Sequence, residues 1–273
     1  MSFEVPEGAL LEVERVHFLK AYQNELRKTG KGDLLVRDCI FAEHWSDSRI
    51  SGRGIYASGG GTVAVTNCTF ARLGGPTELS NTTDGGDAIY LSSCVRAYID
   101  NCLFVTNGAP FSVPLSPWGR HKAASIYANS TPTIISNCRF SACCAAQRHA
   151  TDGGIVCFTG NSGGSKIVNC ALVGNGDFLS YNGGNAGASG GAIACEMSAA
   201  DLTLDIENCT IAYNLTDGYK SAAGINVYSG TVNLKNSIIY GNVRGRENNF
   251  LAGADIDVKA GATLNISYSL VTG

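Results

Sequence analysis

The chain has 273 residues, 44% of them hydrophobic, and a net charge of −3, which excludes general disorder and a basic nucleic-acid-binding surface. No apolar run approaches the ~20 residues of a membrane span. The first seven residues, Met1 to Glu7, lack the basic and apolar regions of a signal peptide, so as given the chain stays where it is made. Glycine is high at 34 and asparagine at 21, with only 6 prolines, a composition that suits many tight turns with positive φ. Eleven cysteines, an odd number without a C-x-x-C pair, weigh against a disulfide framework and a zinc site.

The first 32 residues allow two readings. Phe18, Leu19, Tyr22 and Leu26 fit one face of a short helix ending near Gly30, a cap over the rest of the chain. Alternatively, Val13-Glu14-Arg15-Val16-His17-Phe18 is a degenerate first copy of a phrase that then recurs. The phrase reads Val36-Arg37-Asp38-Cys39-Ile40-Phe41, Val65-Thr66-Asn67-Cys68-Thr69-Phe70, Ile99-Asp100-Asn101-Cys102-Leu103-Phe104 and Ile135-Ser136-Asn137-Cys138-Arg139-Phe140. It continues through Cys170 and Cys209 and decays to Ser237 and Ser269. The steps between these Cys or Ser positions are 29, 34, 36, 32, 39, 28 and 32 residues, the period of a repeat architecture. The unit is β-branched with period 2, so each repeat is built of strands.

Two further anchors accompany each copy. A small residue pair precedes an isoleucine at Ile55, Ile89, Ile126, Ile155, Ile193, Ile225 and Ile256, and 12 to 16 residues separate it from the next Cys or Ser of the phrase. Five residues after the Cys or Ser stand His44, Leu73, Asn107, Cys143, Asn175, Asn214 and Asn242, and from there to the next isoleucine the length varies from 11 to 19. A constant part and one insertion-tolerant corner define a parallel β-helix whose long segments leave on one side. The expected architecture is all-β, a single domain over residues 1–273 with about eight or nine coils, hence a rod of ~40 Å at ~4.8 Å per coil. The pattern breaks off inside a repeat at Gly273, which leads us to expect further coils or self-association at that end.

The cysteines at 39, 68, 102, 138, 170 and 209 are expected to stack as a ladder of buried free thiols, since the rung spacing exceeds the Cβ separation of a disulfide. Cys157 and Cys195, each two residues after an isoleucine anchor, form a second short stack on the same reading. The Asn before each Cys takes a left-handed corner with its amide bonded along the axis. The sequons at Asn67 and Asn208 are then turns, not glycan acceptors.

Gly190-Gly191-Ala192-Ile193 and Phe104-Val105-Thr106-Asn107 resemble the two short motifs of the chlamydial polymorphic outer membrane protein repeats, and the wider class looks like the right-handed pectate-lyase fold. The resemblance implies a right-handed helix and an extracellular or cell-surface, adhesive role, with a polysaccharide or a host or cell-surface protein as partner.

For a site, the outward positions beside the isoleucine anchors carry Tyr56, Tyr90 and Tyr127 in consecutive coils, then Val156, Ala194, Asn226 and Asp257. Two residues on stand Ser58, Ser92, Asn129, Phe158, Glu196, Tyr228 and Lys259. The tyrosines suit the gripping of sugar rings, or a ladder that simply stabilises the sheet. Arg53 and Asp87 are coil neighbours: an exposed ion pair, or a clamp for a uronate carboxylate. The variable corner collects Trp118, Arg120, His121, His149, Asp152 and Lys220. A histidine or lysine base with an arginine there would suffice for β-elimination. No Asp cluster recurs as calcium would need, Asp201/Asp205 and Asp255/Asp257 read as solvated strand faces, and no cofactor or metal is implied. The leading expectation is an adhesin-like binding module using its loop-bearing side; the alternative is a carbohydrate-active enzyme, a polyuronide lyase.

Overall fold

The structure is a computed structural model that describes residues 1–20, 24–44, 53–74, 86–108, 123–145, 154–177, 191–216, 221–246, 249–251 and 255–272. Each coil contributes one strand to each of three parallel sheets, and each sheet holds nine strands. The third coil shows the pattern: Ile55–Ser58 in the first sheet, Thr62–Thr66 in the second and Thr69–Ala71 in the third. The ninth coil supplies Ile256–Val258, Thr263–Ser267 and Leu270–Val271. A fourth, shorter sheet lines the insertion corner: Cys144–Ala145, Gly176–Asp177, Leu215–Thr216 and Val243–Arg246 run parallel, and Asn249–Leu251 turns back antiparallel.

The corners arise from local chemistry. Between the second and third sheets a single residue in the left-handed region turns the chain, at Asp38, Asn67, Asn101, Asn137, Asn169, Asn208, Asn236 and Tyr268, with φ of 49 to 56°. Asparagine tolerates that conformation, and its amide bonds along the axis. Asn101 Nδ2 donates to Asn67 Oδ1 at 2.8 Å, Asn67 Nδ2 to Asp38 Oδ1 at 3.2 Å and Asn208 Nδ2 to Asn169 Oδ1 at 3.2 Å. Between the first and second sheets of the third coil glycine is required: a Cβ on Gly61 (φ +71°) would meet the Gly32 carbonyl oxygen at 2.0 Å, whereas Ser93 and Ser130 take the left-handed region in the next two coils.

Inside, equivalent residues stack coil upon coil. Phe18, Phe41, Phe70, Phe104 and Phe140 form one column with centroids 4.6 to 4.9 Å apart and rings within 7° of parallel. The thiol ladder is present, and all eleven cysteines are free and buried. Each backbone N–H of Cys68, Cys102 and Cys138 donates to the next sulfur at 3.4 to 3.5 Å. The row continues through Cys209 N–H to Ser237 Oγ and Ser237 N–H to Ser269 Oγ, both 3.1 Å, so serine replaces cysteine without breaking the chain of bonds. The Cys170 thiol is pushed up to about 12 by its hydrogen bond with Cys138 and by burial, and burial holds Cys195 at about 12, so both stay unreactive thiols at neutral pH.

A second ladder runs inside the insertion corner. Asn175, Asn214 and Asn242 each donate Nδ2 to a carbonyl one coil back, Phe140, Leu172 and Ile211, at 2.9 to 3.1 Å. The Asn214 and Asn242 oxygens each accept the backbone N–H of the preceding asparagine, at 3.0 and 3.1 Å. The row ends on buried Asp255, whose Oδ1 accepts Asn242 Nδ2 at 2.7 Å and whose Oδ2 accepts Thr272 Oγ1 at 3.2 Å.

Three expectations are corrected. The amino-terminal cap helix does not form, and no helix occurs among the described residues: the alternative reading holds, a first coil with strands Ser2–Glu4, Leu10–Glu14 and His17–Leu19, in which Phe18 joins the phenylalanine column, while Leu26 opens a first-sheet strand. Asp255 is not on a solvated face, because the asparagine row needs an acceptor at its end. Cys157 and Cys195 do not stack: Val156, not Ile155, pairs with Ile126 and Ile193, so Cys157 lies beside Tyr127 and Ala194, and Phe158 takes the inward place beside Cys195.

Truncating one amide of the inner ladder orphans a buried N–H and a buried carbonyl, each costing ~1–3 kcal/mol. Asn214→Ala should therefore lower stability by about 2–4 kcal/mol, whereas Asn208→Gly, at an exposed left-handed corner, should cost only a few tenths; urea unfolding midpoints compare the two.

Candidate functional site

The first sheet's outer face lies beside the insertion corner and carries the tyrosine row. Its central row runs Arg27, Tyr56, Tyr90, Tyr127, Cys157, Ala194, Asn226 and Asp257, paired coil to coil. The second row runs Ser58, Ser92, Asn129, Thr159 and Glu196, and a register shift after Cys195 then brings Ser229, not Tyr228, opposite Glu196. Phe158 is absent from this face because it points into the core beside Cys195.

The tyrosines stack on one another, not on open space. Tyr56 and Tyr90 have centroids 5.1 Å apart at 8° between planes, and Tyr90 and Tyr127 are 5.4 Å apart at 14°. The remaining face of Tyr56 is covered by Arg27, whose guanidinium carbon lies 4.7 Å from the ring centroid. The ring faces are thus occupied, and the row offers outward its edges and hydroxyls at one per coil. A ligand here meets a line of hydrogen-bonding groups, not a set of stacking platforms.

Burial divides the face in two. Arg27 is exposed and Tyr56, Tyr90, Ser58 and Ser92 are half-exposed, whereas Tyr127, Cys157, Ala194 and Asn226 are buried although they point outward. Tyr127, Cys157 and Ala194 form a small apolar cluster with Ala123, against which Tyr90 and Tyr228 pack. Thr159 Oγ1 donates to the Tyr127 hydroxyl at 3.2 Å, and Asn226 bonds both backbone groups of Ala222, at 2.8 and 2.7 Å. The open part is therefore a shelf over coils two to four. Tyr228 lies apart from it, with Lys259 Nζ 5.9 Å from its ring centroid and that ammonium paired with Asp257.

Arg53 and Asp87 do pair, but not on the surface: both side chains are almost fully buried. Packing at the corner encloses them, so they hold coils three and four together and offer nothing to a solvent-borne carboxylate. Nearby His44 is fully buried, and burial and then the Arg53 charge push it down to about 4. A second buried cation has no signal in the sequence. Lys28 points inward and donates Nζ to the carbonyl of Gly30 at 2.7 Å and to that of Gly60, and burial lowers its pKa. Arg27 also escapes the sequence pattern, because the second coil lacks the isoleucine anchor that aligns the others. The loop candidates Trp118, Arg120, His121, His149, Asp152 and Lys220 lie outside the described residues. Among the described residues no group of His, Cys, Asp and Glu could hold a metal ion.

The family description of a right-handed beta helix region matches residues 7–273, so the chain belongs to that family and its coils are right-handed. No curated protein and no solved structure matches it.

His44 supplies a pH test. Its pKa is about 4 in the folded chain and ~6.5 in an unfolded one, so between these values the unfolded state binds more protons. Stability should fall as pH drops from about 7 towards 4 and level off below. His44→Leu, which copies Leu73 of the next coil, should flatten that slope in unfolding midpoints taken at pH 7, 5.5 and 4.5.

Proposed function

We propose that this chain is a glycan-binding β-helix module of a secreted or cell-surface, adhesin-like protein, and that it lays an extended acidic polysaccharide along the outer face of the first sheet over coils two to four. The observation that carries the reading is Arg27. It is exposed, held over the Tyr56 ring, and has no carboxylate partner among the described residues. Beyond it the Tyr56 and Tyr90 hydroxyls, and Ser58 and Ser92, repeat at the ~4.8 Å rung spacing. That spacing is close to the length one pyranose adds to an extended chain, so successive sugars meet equivalent polar groups. A pre-positioned guanidinium favours a planar carboxylate or a sulfate over a neutral hydroxyl.

Titration calorimetry with oligogalacturonate and with a neutral oligosaccharide of equal length tests this. The acidic ligand should bind more tightly and with salt dependence. Arg27→Gln should cost roughly 10- to 100-fold in affinity, the value of one charge-assisted hydrogen bond, and Tyr90→Phe a smaller factor. Equal binding of both ligands, or no effect of Arg27→Gln, would defeat the reading. Growth of ultraviolet absorbance from unsaturated products would assign a lyase in its place.

A further inference from the structure

We infer that the first-sheet shelf is an end-on site: it takes the last three sugars of an acidic glycan, with the chain terminus against coil five and the rest of the chain leaving over coil one. The inference rests on the glycan reading of that shelf and narrows its ligand from the length of a polymer to the end of one.

The shelf is closed on one side. Beyond Tyr90 the central row continues through Tyr127, Cys157, Ala194 and Asn226, one on each of coils five to eight. These four side chains are at most 5% exposed, although they point away from the core. A sheet cannot bury its own outward row, so other parts of the chain lie over it. Asn226 shows how: its Oδ1 accepts the Ala222 N–H at 2.8 Å and its Nδ2 donates to the Ala222 carbonyl at 2.7 Å. Ala123 packs in the same way with Tyr127, Cys157 and Ala194. Ala123 and Ala222 stand three residues before the first-sheet strands Ile126–Asn129 and Ile225–Ser229, so the chain arriving from the insertion corner folds across the outer face at these coils.

The other side is open. Tyr90 and Tyr56 are half-exposed, Arg27 is exposed, and so is Ser2, which stands opposite Arg27 on coil one. The polar groups also change character at coil five. Thr159 Oγ1 lies 3.2 Å from the Tyr127 hydroxyl and 3.4 Å from Asn129 Oδ1, so both outward groups of that coil are engaged within the protein. The open length is the three rungs of Arg27, Tyr56 and Tyr90, about 14 Å at ~4.8 Å per rung, which matches three extended pyranoses.

This one-sided closure selects a chain end. A glycan running on past coil four would press its hydroxyls against the apolar Tyr127, Cys157 and Ala194 cluster and lose water without gaining a hydrogen bond. To avoid that it would have to lift from the sheet and give up Tyr90 and Ser92. A chain that terminates at coil four does neither. Its last sugar reaches Tyr90 and Ser92, the next reaches Tyr56 and Ser58, and the third lays its carboxylate on the Arg27 guanidinium. Everything beyond the third sugar leaves on the open side.

The test counts proteins per chain. A long polygalacturonate of defined length is saturated with the protein, and light scattering gives the mass of the complex. One protein per chain is expected, because the two ends of a glycan differ chemically and only one fits. Cutting the same mass of polymer into shorter chains should raise the amount of protein bound in proportion to the number of ends, and Arg27→Gln should weaken binding to every fragment alike. Two or more proteins on one chain, or a capacity that does not change when the polymer is cut, overturns the end-on inference and leaves the glycan reading standing. Absence of binding, or binding that Arg27→Gln leaves unchanged, defeats the glycan reading itself and the inference with it.

Discussion

Every feature of this molecule depends on one constraint: parallel strands hydrogen-bonded in register at ~4.8 Å set each residue upon its counterpart in the next coil. The constraint makes like stack on like. It produces the phenylalanine column, the thiol row and the two asparagine ladders, and it explains why serine can replace cysteine late in the chain. It also explains why charge is awkward inside. A charge placed in one coil needs its partner in the next, as Arg53 finds in Asp87, or a ring of carbonyls, as Lys28 finds at the glycine corner.

The same constraint shapes the surface. Outward residues are presented as rows at fixed spacing, so a row can address a polymer whose own repeat is similar. Stacking also removes what an isolated tyrosine would offer. The Tyr56, Tyr90 and Tyr127 rings spend their faces on one another and on Arg27, and the face becomes a line of hydroxyls ending in a cation. The third sheet differs. There Ile238, Tyr240 and Leu270 stand exposed on the last two coils, with Tyr213 edge to face against Tyr240.

Much of the fold is legible in the sequence because repetition multiplies a weak signal. The Cys-x-Phe alternation and the asparagine before it locate the second and third sheets and the left-handed corner between them. What misleads is local. Ile155 and Val156 both satisfy the anchor pattern, and only pairing with Ile126 and Ile193 decides between them. Because side chains alternate with period 2, that single-residue slip exchanges the faces of Cys157 and Phe158. Phe18, Tyr22 and Leu26 mimic a helical stripe, although Phe18 and Leu26 belong to different sheets of successive coils. The burial of Arg53, Asp87 and His44 is not legible, since neither the repeat nor the residue types indicate how the insertion corner packs. The tyrosine row can be found from the sequence, but the cation that completes it cannot, because the second coil departs from the anchor.

The shelf formed by Arg27, Tyr56 and Tyr90 is proposed to hold an acidic glycan along the helix axis. A crystal structure of the chain with a bound oligogalacturonate tests this most directly. Sugar density should run coil to coil over the first sheet, with a carboxylate on the Arg27 guanidinium and hydroxyls within hydrogen-bond reach of Ser58 and Ser92. Density confined to another face, or a chain crossing the coils without touching Arg27, would contradict it.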